Sequence, residues 1–231
     1  ETGIAAASVY HSHHFGQAGY HVEQLAARGL IGLVFGNSPK AIAPWGGSEG
    51  VFGTNPIAFA APRRSDPPLV IDLSLSKVAR GKVMVAAKQG EPIPEGWALD
   101  RHGRPTTDAE AAMQGTMVPM GDAKGAALVL MVEILAAALT GGRFGFEASS
   151  FFTAEGEPPG VGQFLVAIDP GVFSGDAFAQ RLETLAGAIL EQQGTRLPGA
   201  RRLALRAESA SNGVVISAAL YDELKGLSAT A

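Results

Sequence analysis

Apolar residues fall in two rhythms along this chain. The runs 4–9, 30–35, 57–61, 69–73 and 163–169 are short, apolar and mostly bounded by Gly, Pro, Asn or Ser, which predicts buried strands. Ala18, Val22 and Leu25 recur at helical spacing and predict a helix reaching about Arg28 and stopped by Gly29. Ser74 or Ser76 is placed to cap a helix over 77–89 that Gly90 closes, and 108–113 suits one or two helical turns. Residues 124–140 are apolar nearly all round and predict a central core helix ending at Gly141-Gly142. Phe178, Leu182, Leu185 and Ile189 mark the inner face of a long amphipathic helix, with Ser174 as its cap and Gly194 as its end. After Val214-Val215-Ile216, Ser217 caps a last short helix showing Leu220, Leu224 and Leu227. Stretches 91–107, 144–160 and the basic 195–206 read as irregular. Strands and helices do not alternate as in a doubly wound sheet, so the pattern favours an α+β fold.

Composition narrows this picture. Hydrophobic residues make up 46% and charged ones 17% of 231, enough to build a core and too apolar for disorder. A net charge of −4 argues against a nucleic-acid partner bound through its phosphates. The chain has no cysteine, which excludes disulfides and thiolate chemistry and suits a cytoplasmic location. The most apolar stretch, 125–139, is interrupted by Glu133 and is shorter than the ~20 residues a membrane span needs. Glu1-Thr2-Gly3 leads almost at once into strand-like sequence without a starting Met, so the chain reads as beginning inside a domain.

Three of the five histidines, His11, His13 and His14, crowd into the bend between the first strand and the first helix, and His21 follows. Free N–H groups at a helix start favour an anion, and the small Gly16 and Ala18 let a ligand backbone come close. A metal held by His11-x-His13 at strand spacing is the competing reading, weakened because no carboxylate set lies nearby. Lys124, at the start of the core helix after Pro119-Met120-Gly121-Asp122-Ala123, offers a second anion-binding turn. Glu133, in the middle of that helix, is costly unless paired and reads as a structural acid. Arg196, Arg201, Arg202 and Arg206 suit forked phosphate contacts, or a solvated rim at a helix end.

Six segments in order resemble the malate/L-lactate dehydrogenase-like superfamily, whose nicotinamide enzymes do not use a Rossmann fold. They are His13-His14-Phe15-Gly16, Gly53-Thr54-Asn55-Pro56-Ile57-Ala58, Asp72-Leu73-Ser74, Pro94-Glu95-Gly96-Trp97, Pro105-Thr106-Thr107-Asp108 and Gly121-Asp122-Ala123-Lys124-Gly125. None is specific alone; together they are. Leu139-Thr140-Gly141-Gly142-Arg143-Phe144 and Thr195-Arg196-Leu197-Pro198-Gly199-Ala200-Arg201-Arg202 look most like the reductases of Δ1-piperideine-2-carboxylate and Δ1-pyrroline-2-carboxylate.

The resemblance implies one oxidoreductase domain over 1–231, with a mixed, largely antiparallel sheet and packed helices. It implies NADPH as cofactor, with NADH the alternative, a small-molecule substrate, no resident metal and a homodimer. Cofactor contacts would come from His14, Phe15, Gly16, Gln17 and Ala18, from Asp72, Leu73 and Ser74, and from Asp122, Ala123 and Lys124. The stretch Thr195, Arg196, Leu197, Pro198, Gly199, Ala200 and Arg201 would meet the 2′-phosphate. If all these serve one nucleotide, they must converge. Thr54 would touch the substrate, although a plain turn residue is as good a reading, and Asp72 alone would read as a helix-capping acid. Lys82 falls where the piperideine reductases place an acid and the hydroxy-acid oxidising relatives tend to have Lys; on its own it reads as a solvated helix lysine. Family members run about a hundred residues longer at the N-terminus. That piece carries a Ser-His pair and an Arg, to which nothing in this chain corresponds. The implied reaction is reduction of a cyclic imine 2-carboxylate to an L-cyclic amino acid. Oxidation of a 2-hydroxy acid is the alternative, and a nucleotide-binding remnant without turnover the third.

Overall fold

The structure, a computed structural model, describes residues 2–64, 66–153 and 156–229. Glu1, Ala154 and Glu155, which belong to the chain start and the 144–160 excursion, lie outside them. In chain order the elements are β1 (Ile4–Ser12), α1 (Ala18–Ala26), β2 (Ile31–Gly36), β3 (Ile57–Ala61), β4 (Leu69–Leu73) and α2 (Arg80–Gln89). Then come β5 (Ala98–Leu99), β6 (Pro105–Thr106), α3 (Ala109–Gln114), β7 (Thr116–Met117) and α4 (Asp122–Glu133), which runs into a π-helical turn (Ile134–Ala138). The chain continues through β8 (Val161–Ile168), α5 (Pro170–Ser174), α6 (Ala177–Leu190), α7 (Ala200–Asn212) and α8 (Ala218–Ala229).

The main sheet has the order β1-β8-β2-β3-β4 and every neighbouring pair in it is antiparallel. A small antiparallel sheet, β6-β5-β7, packs beside α3. The expected α+β, largely antiparallel architecture is therefore the one observed. Antiparallel order has a consequence for the site. The chain leaves β1, β2 and β4, and enters β3 and β8, at one and the same end of the sheet.

Two cores hold the layers together. Ala18, Val22 and Ala26 of α1 lie on Val34, Ala58, Ala60 and Val70 of the sheet. Small residues on both sides let helix and sheet approach closely. Leu25, expected on this face, is only partly buried, and Ala26 takes its place one helical step on. The second core surrounds α4: Ile42, Leu75, Val83, Val129, Val132 and Ala136 are all fully buried, and each of the larger side chains contributes about 2 kcal/mol. The core helix is less enclosed than its composition predicts. Leu130, Met131, Ile134 and Leu139 face outward and are exposed. Among the described residues no helix is long and apolar enough to cross a membrane.

Several boundaries differ from the sequence expectation. α2 starts at Arg80 with neither serine capping it, because Ser76 bridges Pro119 and gives its hydroxyl proton to the Val78 carbonyl. Ser174 ends α5 instead of capping α6, since Asp169 and Pro170 start a separate short helix that Gly175 terminates. Only 195–199 of the basic stretch is loop. From Ala200 it becomes α7, whose apolar positions, Ala200, Leu203, Ala204 and Ala207, recur at helical spacing but are mostly small. The Ser217 cap is present, accepting from the Leu220 amide at 3.2 Å.

Where β8 passes the π-helical turn there is no space for a side chain: a Cβ on Gly162 would stand 1.9 Å from the Ala136 carbonyl oxygen. Gly162→Ala should destabilise the fold by about 3 kcal/mol, a drop of roughly 6 °C in Tm. Gly187→Ala, in α6 with nothing within 4 Å of the added methyl, should be neutral or stabilising by up to about 1 kcal/mol. Thermal unfolding of the two variants side by side checks the pair.

Candidate active site

At the end of the main sheet where five connections meet, the chain encloses a cavity of about 590 Å³. The bend after β1 contributes His13, His14, Phe15 and Gly16, and the segment after β2 contributes Asn37 to Ala41. Thr54 and Pro56 precede β3, Ser74 follows β4, Ala79 to Gly81 open α2, and Ala148 to Phe152 cover the far wall. Lys40, Arg80 and two histidines line this space, and among the described residues no carboxylate does. It suits an anion.

Backbone geometry sets the histidines. A bulge in β1 between Val9 and Ser12, with His11 at φ 52°, breaks the strand alternation. The shared face that a His11-x-His13 metal pair would need is thereby lost. Among the described residues no group of three or more His, Asp or Glu could hold a metal. His13 Nδ1 accepts from the His14 amide at 2.7 Å and His14 Nδ1 from the Gly16 amide at 3.1 Å. In their neutral forms both rings therefore carry the proton on Nε2. The Phe151 ring lies 5.0 Å from His13 and 5.4 Å from His14, closing the cavity with an aromatic wall.

The floor is polar. Ser38 Oγ accepts from the Thr54 amide at 3.1 Å and lies 3.5 Å from Thr54 Oγ1, while the Leu75 amide holds the Thr54 carbonyl at 2.7 Å. Beneath it is Glu133, 3% exposed. Its carboxylate accepts from Asn37 Nδ2 at 3.2 Å, Asn55 Nδ2 at 2.7 Å and the Gly145 amide at 2.7 Å, and from the Gly53 amide. Burial pushes its pKa above the usual carboxylate value, and these donors oppose that shift. Glu133 is a paired structural acid, as the sequence suggested. The Arg80 guanidinium donates to the carbonyls of Lys40 (2.8 Å) and Met113 (3.3 Å), and burial pulls its pKa down.

A second hollow of about 520 Å³ lies by Arg196, Leu197, Pro198, Gly199, Arg201 and Arg202. Asp72 connects it to the bend. Its Oδ2 accepts from the Gly19 amide in the first turn of α1 at 2.8 Å and stands 4.0 Å from Arg202. Asp72 does cap a helix, but α1 and not the one that follows it in sequence. Gly19 is required there, because a Cβ would come within 2.8 Å of both the carboxylate and Arg202. Arg206 ties α7 to α1 through Glu23 with bonds of 2.8 and 3.0 Å.

The structure thus gathers some of the sequence candidates and not others. His14, Phe15, Gly16, Thr54 and Ser74 line the cavity; Arg196 to Gly199 and Arg201 line the second hollow. Gln17, Ala18, Asp72 and Leu73 belong to the α1 start and to β4, between the two. Ala200 starts α7, and the Thr195 hydroxyl closes α6 through the carbonyls of Ile189 and Gln192. Asp122, Ala123 and Lys124 are exposed and line neither hollow. Pairing of Met120 with Leu75 and of Lys77 with Val118 sets them beside Ser76, whose hydroxyl lies 3.3 Å from that of Ser74 in the cavity wall. Lys82 is exposed on α2, one residue past the cavity wall. Sequence reading passed over Asn37, Ser38, Lys40, Arg80, Phe151 and Phe152. Gly36-Asn37-Ser38-Pro39 was legible as a turn, and its place at a strand end was the signal available.

The malate/L-lactate dehydrogenase family matches residues 1–225 of this chain. The chain belongs to that family. It is 60% identical over 225 residues to a Chromohalobacter salexigens protein named (2R)-3-sulfolactate dehydrogenase (NADP(+)), covering 97% of this chain and 67% of that one. It is 44% identical over 227 residues to the Δ1-pyrroline-2-carboxylate reductase of Pseudomonas fluorescens, covering 97% and 68%. Among solved structures, Δ1-piperideine-2-carboxylate reductase from Pseudomonas syringae superposes with a TM-score of 0.90 at 42% identity, over 97% of this chain and 68% of that one. The chain therefore spans about two thirds of each. As a member of the family it is an oxidoreductase.

The Arg206 bond holds the Glu23 carboxyl below its usual pKa. Its contribution to stability is therefore complete at neutral pH and is lost as pH falls through the depressed value. Glu23→Gln should lower stability by about 1 kcal/mol or less at pH 7, since the pair is partly exposed. That difference from wild type should shrink as pH falls through the depressed value. Thermal melts across that range test it; a difference that persists in acid counts against the assignment.

Proposed function

We propose that the protein is an NADP-dependent dehydrogenase of a small 2-hydroxy acid that carries a second anionic group. The observation behind this is the first cavity, with Lys40, Arg80, His13 and His14 in its walls and, among the described residues, no carboxylate to oppose an anion. A substrate with two negative ends gains from Lys40 and Arg80 together what a mono-acid cannot. The 60% identity to a protein named for sulfolactate points the same way.

The residues fit a nicotinamide dinucleotide. Gly16, at φ 78° with open space where a side chain would be, lets a flat group approach the bend. Arg196 and Arg201 offer guanidinium forks for phosphate, with Arg202 partly engaged by Asp72. When bound, the nicotinamide would accept the hydride from C2 as the hydroxyl loses its proton, giving the 2-oxo acid, NADPH and one proton. The chain's own tasks are to orient the acid through Thr54 and Ser38, neutralise its charge, and exclude water with Phe151 and Phe152. The domain over 1–231 would then be an NADP-binding oxidoreductase domain that also carries substrate contacts. A second reading, reduction of a cyclic imine 2-carboxylate, is favoured by that aromatic wall and by the reductases among the relatives.

Purified protein should oxidise 3-sulfolactate or malate with kcat/KM about ten-fold or more above lactate, the effect of one additional charge-assisted contact. Faster turnover of Δ1-pyrroline-2-carboxylate with NADPH would reverse the order of the two readings. Arg201→Ala and Arg202→Ala should weaken NADPH about ten-fold while leaving NADH nearly unchanged, measured by calorimetry. Equal losses for both nucleotides would remove these arginines from the 2′-phosphate.

A further inference from the structure

Beneath the floor of the cavity, one carboxylate joins three loops. Glu133 accepts Asn37 Nδ2 from the segment after β2, Asn55 Nδ2 and the Gly53 amide from the segment before β3, and the Gly145 amide from the excursion after the π-helical turn. All four partners are donors, so the group required is one that only accepts.

The residues so held flank those that line the cavity. Thr54 sits between Gly53 and Asn55, Ser38 follows Asn37, and the Gly145 carbonyl accepts from the Lys40 amide at 2.8 Å. Asn55 is fully buried at φ 41°, a left-handed conformation that a non-glycine residue keeps only when its surroundings hold it. Its amide orientation is set by the Val129 carbonyl, which accepts from Nδ2 at 3.1 Å and leaves Glu133 facing an N–H. The α-helical ladder of α4 gives way to a π-helical turn at the next residue, Ile134, a local irregularity that often accompanies functional sites. Gly145 packs so closely that a Cβ would lie 2.9 Å from both the Gly53 amide nitrogen and the Ser38 carbonyl oxygen.

We infer that Glu133 is the positioning residue for substrate, holding the Thr54 and Ser38 hydroxyls and the Lys40 segment in register through Asn37, Asn55, Gly53 and Gly145. It touches neither substrate nor nucleotide and acts through Thr54. The inference rests on the reading of this cavity as the substrate site.

Glu133→Gln sets an NH2 group against converging donors. The variant should raise the KM for the 2-hydroxy acid about ten-fold or more, change kcat less, and leave the NADPH Kd within two-fold. Glu133→Asp, shorter but still acceptor-only, should recover part of the loss, and it carries the same measurements if the Gln variant does not fold. Combined with Thr54→Val, Glu133→Gln should add little to the effect of the worse single variant. Additive losses, or a lowered Tm with unchanged KM, overturn the inference. Amide hydrogen exchange separates it from the functional reading. Gly53, Thr54 and Gly145 should exchange at least ten-fold faster in Glu133→Gln, with β2 and β3 unchanged. If the wild-type protein turns over neither substrate class, the functional reading falls, while unchanged protection at those three amides defeats the role of Glu133 by itself.

Discussion

A carboxylate taken out of water must be surrounded by donors, and the cost of failing to do so is several kcal/mol. Glu133 meets that demand with N–H groups drawn from loops that are far apart in sequence. A long apolar helix could have carried Leu at this position and packed well. With Glu there instead, the loops at the end of the sheet have one arrangement that satisfies the charge. The carboxylate is a modest asset for stability, because its burial opposes its ionisation. What it contributes is definition of a single loop geometry.

That definition matters because of where the antiparallel sheet sends its connections. With the order β1-β8-β2-β3-β4, residues 13–16, 37–41, 54–56 and 74 are remote in sequence and adjacent in space. A parallel sheet would have needed crossover helices and spread such segments differently. Here the small side chains of α1, β3 and β4 keep helix and sheet close, and the polar ends of the strands are left to form the cavity.

Charge is divided between two neighbouring hollows. Among the described residues the cavity over Glu133 is lined by cations without acids, and Asp72 stands 4.0 Å from Arg202 of the arginine-lined hollow. Asp72 neutralises the first turn of α1 and lies near Arg202, so it sets how much positive charge each side presents. Glu23 and Arg206 then brace α7 against α1. The arginine-bearing tail thereby has a fixed place despite its exposed, polar composition.

Much of this was legible along the chain. Short apolar runs marked the strands of the main sheet, helical spacing marked α1 and α6, and the mixed order of elements excluded a doubly wound sheet. The bend of histidines before a helix, Thr54 and the need to pair Glu133 could also be read, since each follows from local chemistry. Other features could not. That Asp72 caps α1 across 53 residues of sequence is a tertiary fact, as is the burial of Arg80. The bulge that turns His11 away from His13 depends on the register with β8. The start of α4, which shares its anion-friendly chemistry with α1, lies beside Ser76 because the pairing of 118–120 with 75–77 places it there. Periodicity and residue type determine which elements form and which groups are chemically competent. Only strand order and register decide which of those groups meet, because spatial proximity depends on pairings that no local stretch of sequence encodes.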